Sequence, residues 1–526
     1  MVIMRAQSWA ALALLGVCGC GGATEVDVQL VDPCNKPVLS TVDFLRFEPR
    51  GTDLNSRDLS TITQVADKSA APIKFKLAPD FQLVVTGHKD TFDAPASAAG
   101  VSAKYDLINA KGPVSIRIPL APIDEFFKTT KLDDPKQCSE MVIARYGATA
   151  TWVPQIGRVI IIGGATVANR SIDFKRTIEA YDPASGLFEP IAELPFGGQR
   201  AFHTATLLAD GRILIVGGEA LINQARESLK SALVVDARDL TKVSVSATAS
   251  LRAARTGHTA ARLADGRVVI LGGRQLNGAA TRPQDHTYLN SVEVFDPERN
   301  LFVVPTGMNA LESARYGHSM LVLKTGKDVL VSGGFNDTGP VRKFEILHLE
   351  ADAATLVTTT ATTSVGPIFH AAALADDGRV LLSGGYGAIA DAEPSGSLPA
   401  NPSQSVEMWT YNDATKMFGR ACTAELSQAR GYHTVNLVGR RAIFVGGRSA
   451  QGSTMTSAEV ATLTMDARCF AAAPTAKEMA DDRAQHLAVP LGSGEILILG
   501  GLKQGVSDMV WTSVGGAELF SPAREL

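Results

Sequence analysis

Aromatic side chains are scarce in this chain. Phenylalanine, tryptophan and tyrosine together make up 6% of its 526 residues, so a carbohydrate cleft paved with aromatic rings is not expected. A charge excess of one sign is also missing, because 50 lysines and arginines face 54 aspartates and glutamates. This near balance argues against nucleic acid or an anionic membrane surface as a partner.

Long apolar runs are also few. The first one, residues 9–17, follows Arg5 and is shorter than the roughly 20 residues that a membrane-spanning helix needs. It predicts a secretory signal peptide. The end of this run, Val17-Cys18-Gly19-Cys20, resembles a bacterial lipobox. That resemblance implies a signal peptide over residues 1–19 and a lipid on Cys20, and the alternative is an ordinary cleaved signal with incidental cysteines.

Cysteine is limited to six residues, two of them at the end of the predicted signal. The remaining four form an even set in an exported chain, which predicts disulfides. Three pairings are open, and proximity in the chain favours Cys34–Cys138 with Cys422–Cys469. Cys18 and Cys20 lack the partner pair that a tetrahedral metal site needs. No P-loop, nucleophile elbow, HExxH or Rossmann motif is present, so neither a metal nor a cofactor is expected.

Glycine, in contrast, is abundant, with 48 residues. Glycine pairs end seven apolar runs, and their first members lie 51 to 62 residues apart. The pairs are Gly163-Gly164, Gly217-Gly218, Gly272-Gly273, Gly333-Gly334, Gly384-Gly385, Gly446-Gly447 and Gly500-Gly501. Self-similarity at such a period is typical of repeat architectures.

An R-x-x-H motif precedes five of the glycine pairs. These motifs are Arg200/His203, Arg255/His258, Arg315/His318, Arg430/His433 and Arg483/His486. One further copy keeps Arg145 but has Ala148, and another has Pro367 but keeps His370. The motif therefore belongs to the repeat unit and not to a single site.

Each unit contains four short strands. Asp-Gly turns such as Asp210-Gly211 join the first two strands as an antiparallel hairpin. The second strand, residues 213–216 in that copy, is apolar throughout, so it needs cover on both faces. After the glycine pair comes a glutamate in a third strand, as at Glu179, Glu293, Glu407 and Glu518, and a turn then leads to a fourth.

The hydrophobic run, the glycine pair and the following glutamate and aromatic residue resemble kelch repeats. The resemblance covers residues 145–526 and implies an all-β, seven-bladed kelch-type β-propeller. The usual tryptophan of the fourth strand is replaced by phenylalanine, for example Phe188 and Phe302.

The last repeat ends without a fourth strand. Residues 137–144 precede Arg145 at the place where a fourth strand precedes the other R-x-x-H motifs. We therefore predict that residues 126–144 supply a linker and the outer strand of the last blade, which would protect the edge of that sheet.

A separate domain is predicted over residues 20–125, which lack the glycine pairs. Residues 26–31, 73–77, 81–85 and 114–118 alternate between apolar and polar side chains, and turn-rich segments separate them. Strands of period two at such spacing favour a small β-sandwich.

The R-x-x-H motifs and the glycine pairs are expected at the same end of every blade, around the central channel. The long variable loops 274–291 and 386–405 border this face, and variable loops on a rigid scaffold usually carry binding specificity. The binding candidates are Arg145, Arg200, Arg255, Arg315, Arg430, Arg483, Tyr316, Tyr386 and Tyr432. The arginines either stabilise the blades or form a basic funnel for an acidic ligand.

Together these features predict a non-catalytic lipoprotein of the cell envelope, at the outer membrane or the cell surface. It would bind a protein or a glycan, and an acyl anchor would hold it to the bilayer. Two enzymatic alternatives are implied by the resemblance. Arg430-Gly-Tyr432-His433 is similar to a fragment of the copper site of galactose-oxidase-like radical enzymes, and other kelch propellers isomerise sialic acids.

Overall fold

The computed structural model describes residues 10–14, 26–50, 61–64, 81–91, 93–102, 114–168, 171–276, 286–307, 310–350, 353–389, 399–464, 468–504 and 511–523. Regular structure in these ranges is β, apart from one 3₁₀ turn at Leu39–Thr41.

Within those ranges, no helix has the length and hydropathy of a membrane-crossing segment.

The N-terminal region consists of two sheets that share one hydrophobic core. One sheet holds β1 (Ala10–Leu14), β2 (Val26–Val31) and β7 (Val114–Pro119), and the other holds β3 (Phe44–Arg50), β4 (Thr61–Gln64), β5 (Gln82–His88), β6 (Ala96–Val101) and β8 (Ala121–Pro122). Val28 and Ile116 from the first sheet pack with Phe47 and Val85 from the second. The alternating apolar residues of each strand thus face one another, as in a sandwich.

Two of the four N-terminal strand predictions coincide closely with β2 and β7, and a third lies at the start of β5. The fourth, residues 73–77, lies outside the described residues. Strand β1 belongs to the predicted signal peptide and pairs antiparallel with β2. Cleavage after residue 19 would therefore leave β2 as the edge of its sheet.

Seven further sheets follow the same plan, each with an inner strand, two middle strands and an outer strand. They are β10 (Thr149–Val153), β11 (Arg158–Ile162), β14 (Thr177–Asp182) and β15 (Leu187–Glu193) in sheet 1; β16 (Thr204–Leu207), β17 (Ile213–Val216), β20 (Ala232–Asp236) and β21 (Ser244–Ala247) in sheet 2; β22 (Thr259–Arg262), β23 (Val268–Leu271), β26 (Val292–Asp296) and β27 (Leu301–Val303) in sheet 3; β29 (Tyr316–Val322), β30 (Asp328–Asn336), β32 (Lys343–Glu350) and β33 (Ala353–Thr362) in sheet 4; β34 (Ala371–Leu374), β35 (Val380–Ser383), β38 (Ser405–Asn412) and β39 (Met417–Glu425) in sheet 5; β40 (Thr434–Val438), β41 (Arg441–Val445), β42 (Met455–Thr462) and β43 (Thr475–Arg483) in sheet 6; and β44 (Leu487–Pro490), β45 (Ile496–Leu499), β48 (Ala517–Ser521) and β9 (Glu125–Lys128) in sheet 7. Sheet 4 also pairs with the short strands β28 (Thr306–Gly307) and β31 (Gly339–Pro340).

These sheets form a closed ring. Each inner strand contacts the inner strand of the next sheet, and β44 of sheet 7 contacts β10 of sheet 1. The second strands fill the space between neighbours: Val159 and Ile161 of β11 pack towards sheet 7, whereas Ile160 and Ile162 pack towards sheet 2. This explains why the second strand of each repeat is apolar on both faces.

Small hairpins follow the glycine pairs in five sheets, between the second and third strands. They are β12 (Ala165–Ala168) with β13 (Ser171–Phe174), β18 (Glu219–Ile222) with β19 (Ala225–Ser228), β24 (Arg274–Gln275) with β25 (Thr287–Tyr288), β36 (Tyr386–Ile389) with β37 (Pro399–Pro402), and β46 (Leu502–Gln504) with β47 (Trp511–Ser513). All five therefore lie on the face of the ring that carries the R-x-x-H motifs.

The strand that closes sheet 7 is β9 at Glu125–Lys128, and the prediction of residues 137–144 is wrong. Phe126 of β9 lies opposite Phe520 of β48, and their ring centroids are 4.8 Å apart. Residues 129–138 form an insertion between β9 and the loop that enters sheet 1. Counting back from Arg145 by the spacing of other repeats could not reveal this insertion.

Both predicted disulfides are confirmed. Cys34–Cys138 joins the N-terminal region to the insertion after β9, and Cys422–Cys469 joins β39 of sheet 5 to the loop after β42 of sheet 6. On the other side of β9, Asp124 accepts a hydrogen bond from the backbone of Ala523 and pairs with Arg441. The closing strand is thus held at both ends.

Candidate functional site at the channel mouth

The glycine pairs form the seams between neighbouring sheets. The backbone N–H of each second glycine donates to the carbonyl at the arginine position of the next sheet. The seven bonds are Gly164 to Arg200, Gly218 to Arg255, Gly273 to Arg315, Gly334 to Pro367, Gly385 to Arg430, Gly447 to Arg483 and Gly501 to Arg145, at 2.6–2.9 Å. The last one closes the ring. Only a carbonyl is required, which explains why Pro367 can replace arginine in sheet 5.

The arginine side chains of the motif point into their own sheets. All six are at most 1% exposed. Arg255 pairs with Glu293 of the third strand at 2.8 Å and also donates to the carbonyl of Gly272 at 3.0 Å. Arg145–Glu179, Arg315–Glu345, Arg430–Glu459 and Arg483–Glu518 repeat this ion pair.

Burial lowers the pKa of Arg145 and Arg200 to about 10, so these side chains stay protonated at neutral pH. Because they are buried and already bonded, the six arginines cannot form the basic funnel that the sequence analysis considered. Their role is to hold the sheets together.

In two sheets one residue of the motif ion pair is missing, and the remaining residue bonds to other groups. In sheet 2, Leu233 occupies the position of the glutamate, and Arg200 donates to the Ser231 hydroxyl and carbonyl instead. In sheet 5 the motif arginine is absent, and Glu407 accepts bonds from Thr363 and from the indole of Trp409 and pairs with Arg420 at 3.2 Å. The repeat thus tolerates either partner, provided that its polar atoms are bonded.

The motif histidines bond sheets to one another. His203 Nε2 lies 2.9 Å from the hydroxyl of Thr149 in the preceding sheet, and His258, His318, His370, His433 and His486 make corresponding bonds to Thr204, Thr259, Ser332, Ser383 and Thr434. Burial lowers the pKa of His203, His318 and His486 to about 3 and that of His370 to about 4. These imidazoles are therefore neutral and structural.

The residue just before the histidine position lies around the channel axis. Its φ is positive in every sheet, at Gly147, Phe202, Gly257, Gly317, Phe369, Tyr432 and Gln485. Backbone bonds link neighbours around this ring, for example from Phe202 N–H to Gly147 at 2.7 Å and from Phe369 N–H to Gly317 at 2.9 Å. Left-handed backbone is unfavourable for side chains other than glycine, and such strain clusters at functional sites.

Aromatic rings gather on one side of this ring of residues. We call Tyr288, Tyr316, Phe335, Phe369, Tyr386 and Tyr432 the mouth cluster. Phe369 and Tyr432 are stacked at 4.2 Å, and Tyr316, Tyr386 and Phe335 contact them edge to face. The few aromatic residues of the chain are thus concentrated at this position, which the low aromatic content did not indicate.

Exposure divides the mouth cluster into a base and a surface. Phe335 and Tyr386 are buried, whereas Tyr288, Tyr316, Phe369 and Tyr432 are half-buried. The hydroxyl of Tyr386 has no hydrogen-bond partner among the described residues, and burial raises its pKa above the ordinary value. A buried hydroxyl without a partner costs about 1–3 kcal/mol, and a polar ligand atom could remove that cost.

Two arginines flank the mouth cluster. The guanidinium of Arg274 lies 4.3 Å from the ring centroid of Tyr316, and that of Arg448 lies 4.2 Å from the ring centroid of Trp511. Both side chains are largely buried against these rings. The mouth therefore combines aromatic faces with cationic groups at its edge.

Three of the predicted binding residues, Tyr316, Tyr386 and Tyr432, meet in the mouth cluster. Phe335, Phe369, Arg274 and Arg448, which also lie at the mouth, were not predicted from the sequence. A signal existed: the residue that follows the glycine pair varies, with six residue types in seven copies. It is Ala165, Glu219, Arg274, Phe335, Tyr386, Arg448 and Leu502 in turn. Residues that repeat build the sheets, whereas residues that vary at a shared face are free to specialise.

The residues of the considered copper site do not fit copper. His433 is buried and its Nε2 bonds to Ser383 at 2.9 Å, and Tyr432 is stacked on Phe369. The resemblance to radical copper enzymes would also imply a cysteine crosslinked to a tyrosine. Cys422 is in a disulfide, so it cannot form this crosslink. In the part of the chain that the structure describes, no group of three or more histidines, cysteines, aspartates or glutamates is arranged to hold a metal.

Radially arranged four-stranded sheets with a closed inner ring define a β-propeller. The repeated glycine-pair seams indicate that this propeller is of the kelch type. A family comparison agrees, because the family model described as the KLHDC2/KLHL20/DRC7 Kelch-repeats domain matches residues 276–501. The chain therefore has the fold of a kelch-type β-propeller.

A solved structure supports this fold. A fungal alcohol oxidase of the AA5 family in complex with copper is 15% identical, with a TM-score of 0.51, and the match covers 73% of this chain and 75% of the oxidase. The structure of YjhT is 14% identical, with a TM-score of 0.46, and the match covers 64% of this chain and 99% of that one. Comparison with curated proteins found no match. At these identities the likeness concerns the fold alone.

Proposed function

We propose that this protein is a non-catalytic binding protein of the cell envelope, which holds a glycan or an exposed protein segment at its channel mouth. The mouth cluster is the observation that carries this proposal. Its stacked pair, Phe369 and Tyr432, lies at backbone positions with φ of 53° and 55°. A rigid and strained scaffold that presents half-buried rings is typical of a binding surface.

The chemistry of the mouth favours a ligand with apolar faces and oxygen atoms. Aromatic rings can cover the apolar face of a sugar ring or a side chain, and arginines bond well to hydroxyl and carboxylate oxygens. The hydroxyl of Tyr386 supplies a buried donor at the base of the cluster. A copper oxidase is not proposed, because the residues of that site are engaged elsewhere.

The proposal is tested with purified protein on a glycan array and in pull-downs with solubilised envelope proteins. Tyr432→Ala and Arg448→Ala should each lower the affinity for the captured ligand at least tenfold, with little change in melting temperature. Met417→Ala is the matched control, because this exposed side chain lies at the opposite end of sheet 5. Equal binding by the wild type and both mouth variants would refute the proposal.

The envelope location rests on the disulfides and on the predicted lipobox. Disulfides such as Cys34–Cys138 persist in oxidising compartments. Cys20 lies outside the described residues, and its lipidation is part of the proposal. Metabolic labelling with an alkyne fatty acid should mark the wild type but not Cys20→Ala, and unlabelled wild-type protein would argue against the anchor.

A further inference from the structure

A second cavity lies on the same face, outside the mouth cluster. It has a volume of about 470 Å³, within the range of about 300–1,000 Å³ that is typical of small-molecule sites. It is formed by the loop that enters sheet 6, by the turn after Arg448 and by the first residues of β42. We call it the rim pocket.

The lining of the rim pocket is polar and almost uncharged. Hydroxyl groups come from Ser449, Thr454, Thr456 and Ser457, and amide groups come from Gln428 and Gln451. Among the described residues, Glu478 is the one ionisable group that lines the pocket, and no lysine or arginine of that part of the chain lines it. A phosphate or sulfate ligand would lack a cationic partner there, and an apolar ligand would leave the hydroxyls without bonds.

The rim pocket is held in place by the buried network of sheet 6. Ser457 donates to the side-chain carbonyl of Gln428 at 2.8 Å, and the Ser457 carbonyl accepts from Arg430 at 3.0 Å. The carboxylate of Glu459 accepts from Arg430 at 2.7 Å and from the backbone of Gln428 at 3.3 Å. Gln428 is therefore fixed with its amide nitrogen left to donate, and such preorganisation lowers the entropic cost of binding.

The opposite wall supplies acceptors. Thr456 donates to one carboxylate oxygen of Glu478 at 2.6 Å, which leaves the other oxygen to accept. The hydroxyl of Thr454 accepts from the backbone of Gln504 at 3.2 Å. The side-chain oxygen of Gln504, beside this wall, has no partner among the described residues. The Thr454 hydroxyl also donates to Asp482, so it is already engaged in both directions. The amide nitrogen of Gln428 and the second carboxylate oxygen of Glu478 remain as a donor and an acceptor for a ligand hydroxyl.

We propose that the rim pocket is a subsite for a neutral saccharide unit. This proposal rests on the proposed function, in the case where the ligand of the mouth cluster is a glycan. Arg448 immediately precedes Ser449 of the pocket and stacks on Trp511. The backbone of Arg448 also bonds to that of Gly431, which packs against the ring of Tyr386 in the mouth cluster. One chain of sugars would therefore cover both sites.

The test is calorimetric titration with three neutral probes: maltotetraose, cellotetraose and tetra-N-acetylchitotetraose. At least one should bind the wild type. Gln428→Ala and Thr456→Val should each weaken that binding at least fivefold with an unchanged melting temperature. Gln404→Ala, which removes an exposed amide on sheet 5, should bind like the wild type.

Different outcomes separate the two proposals. If Tyr432→Ala abolishes binding while Gln428→Ala and Thr456→Val bind like the wild type, the rim pocket is not a subsite and the mouth is. If none of the three probes binds, the neutral-saccharide assignment is wrong, whereas a protein or charged glycan that is lost only in mouth variants would keep the proposed function.

Discussion

Acidification should unfold the propeller through its buried histidines. The pKa of His203 is lowered to about 3, first by burial and then by Arg200, whereas an unfolded histidine titrates near pH 6.5. Between these values the unfolded chain binds more protons than the folded chain, so stability is lost as the pH falls below about 6.5. At pH 5 the loss is about 2 kcal/mol for one such histidine.

Six histidines share this environment, because each bonds a hydroxyl of the preceding sheet. For the four whose pKa lies at about 3 or 4, His203, His318, His370 and His486, the summed cost at pH 5 would be roughly 8 kcal/mol, comparable with the total stability of a typical domain. Burial lowers the pKa of His258 and His433 in the same direction. Most carboxylates are still ionised in this pH window, so the histidines should dominate the change.

The assay is thermal unfolding, followed by circular dichroism at pH 7.5, 6.5, 5.5 and 5.0. The wild type should lose stability steeply between pH 6.5 and 5.0. His203→Gln keeps a group that can bond Thr149 but cannot take a proton, so it should be less stable at pH 7.5 and lose about 2 kcal/mol less on acidification. An identical pH dependence in both proteins, or a wild type indifferent to pH, would refute the reasoning.

Three further predictions concern the contacts that hold the propeller together, which we call the frame. Phe126→Ala should lower the free energy of unfolding by about 3–5 kcal/mol, because this ring of the closing strand is buried against Phe520. The control Phe196→Ala removes a ring that is 98% exposed and should leave the melting temperature unchanged. Glu345→Leu should lower the free energy of unfolding by about 3–5 kcal/mol, because it leaves the buried guanidinium of Arg315 without its carboxylate partner. Glu293→Leu should cost less, because Arg255 keeps the Ser291 hydroxyl as Arg200 keeps Ser231; equal costs would contradict this comparison. Cys34→Ser with Cys138→Ser should lower stability by about 2–4 kcal/mol, and unchanged urea unfolding would show that this link is dispensable.

The frame could be predicted from the sequence because each repeat encodes its own contacts. The glycine pair, the arginine and the histidine recur, and the structure shows that they contact one another across each seam. A side chain on the second glycine would strike backbone: at Gly218 it would lie 2.7 Å from the carbonyl of Ala201. Repetition was thus a correct guide to the packing of the sheets.

The position of the closing strand and the assembly of the mouth cluster could not be predicted in this way. The insertion 129–138 displaced the closing strand from the spacing seen in the other repeats. The mouth cluster depends on residues such as Phe335 and Phe369, which have no counterpart of the same type in most copies. Their proximity follows only once the ring is closed and successive sheets are placed side by side.

The most direct test of the central claim compares one repeated residue with one variable residue on the same face. His433 and Tyr432 are adjacent in the chain, but His433 bonds Ser383 in the neighbouring sheet whereas Tyr432 lies in the mouth cluster. Melting temperature and affinity for the array-selected ligand should be measured for His433→Ala and Tyr432→Ala. We expect His433→Ala to lose stability, and Tyr432→Ala to lose affinity while it stays folded. A stable His433→Ala that has lost binding, together with a Tyr432→Ala that binds like the wild type, would contradict the account.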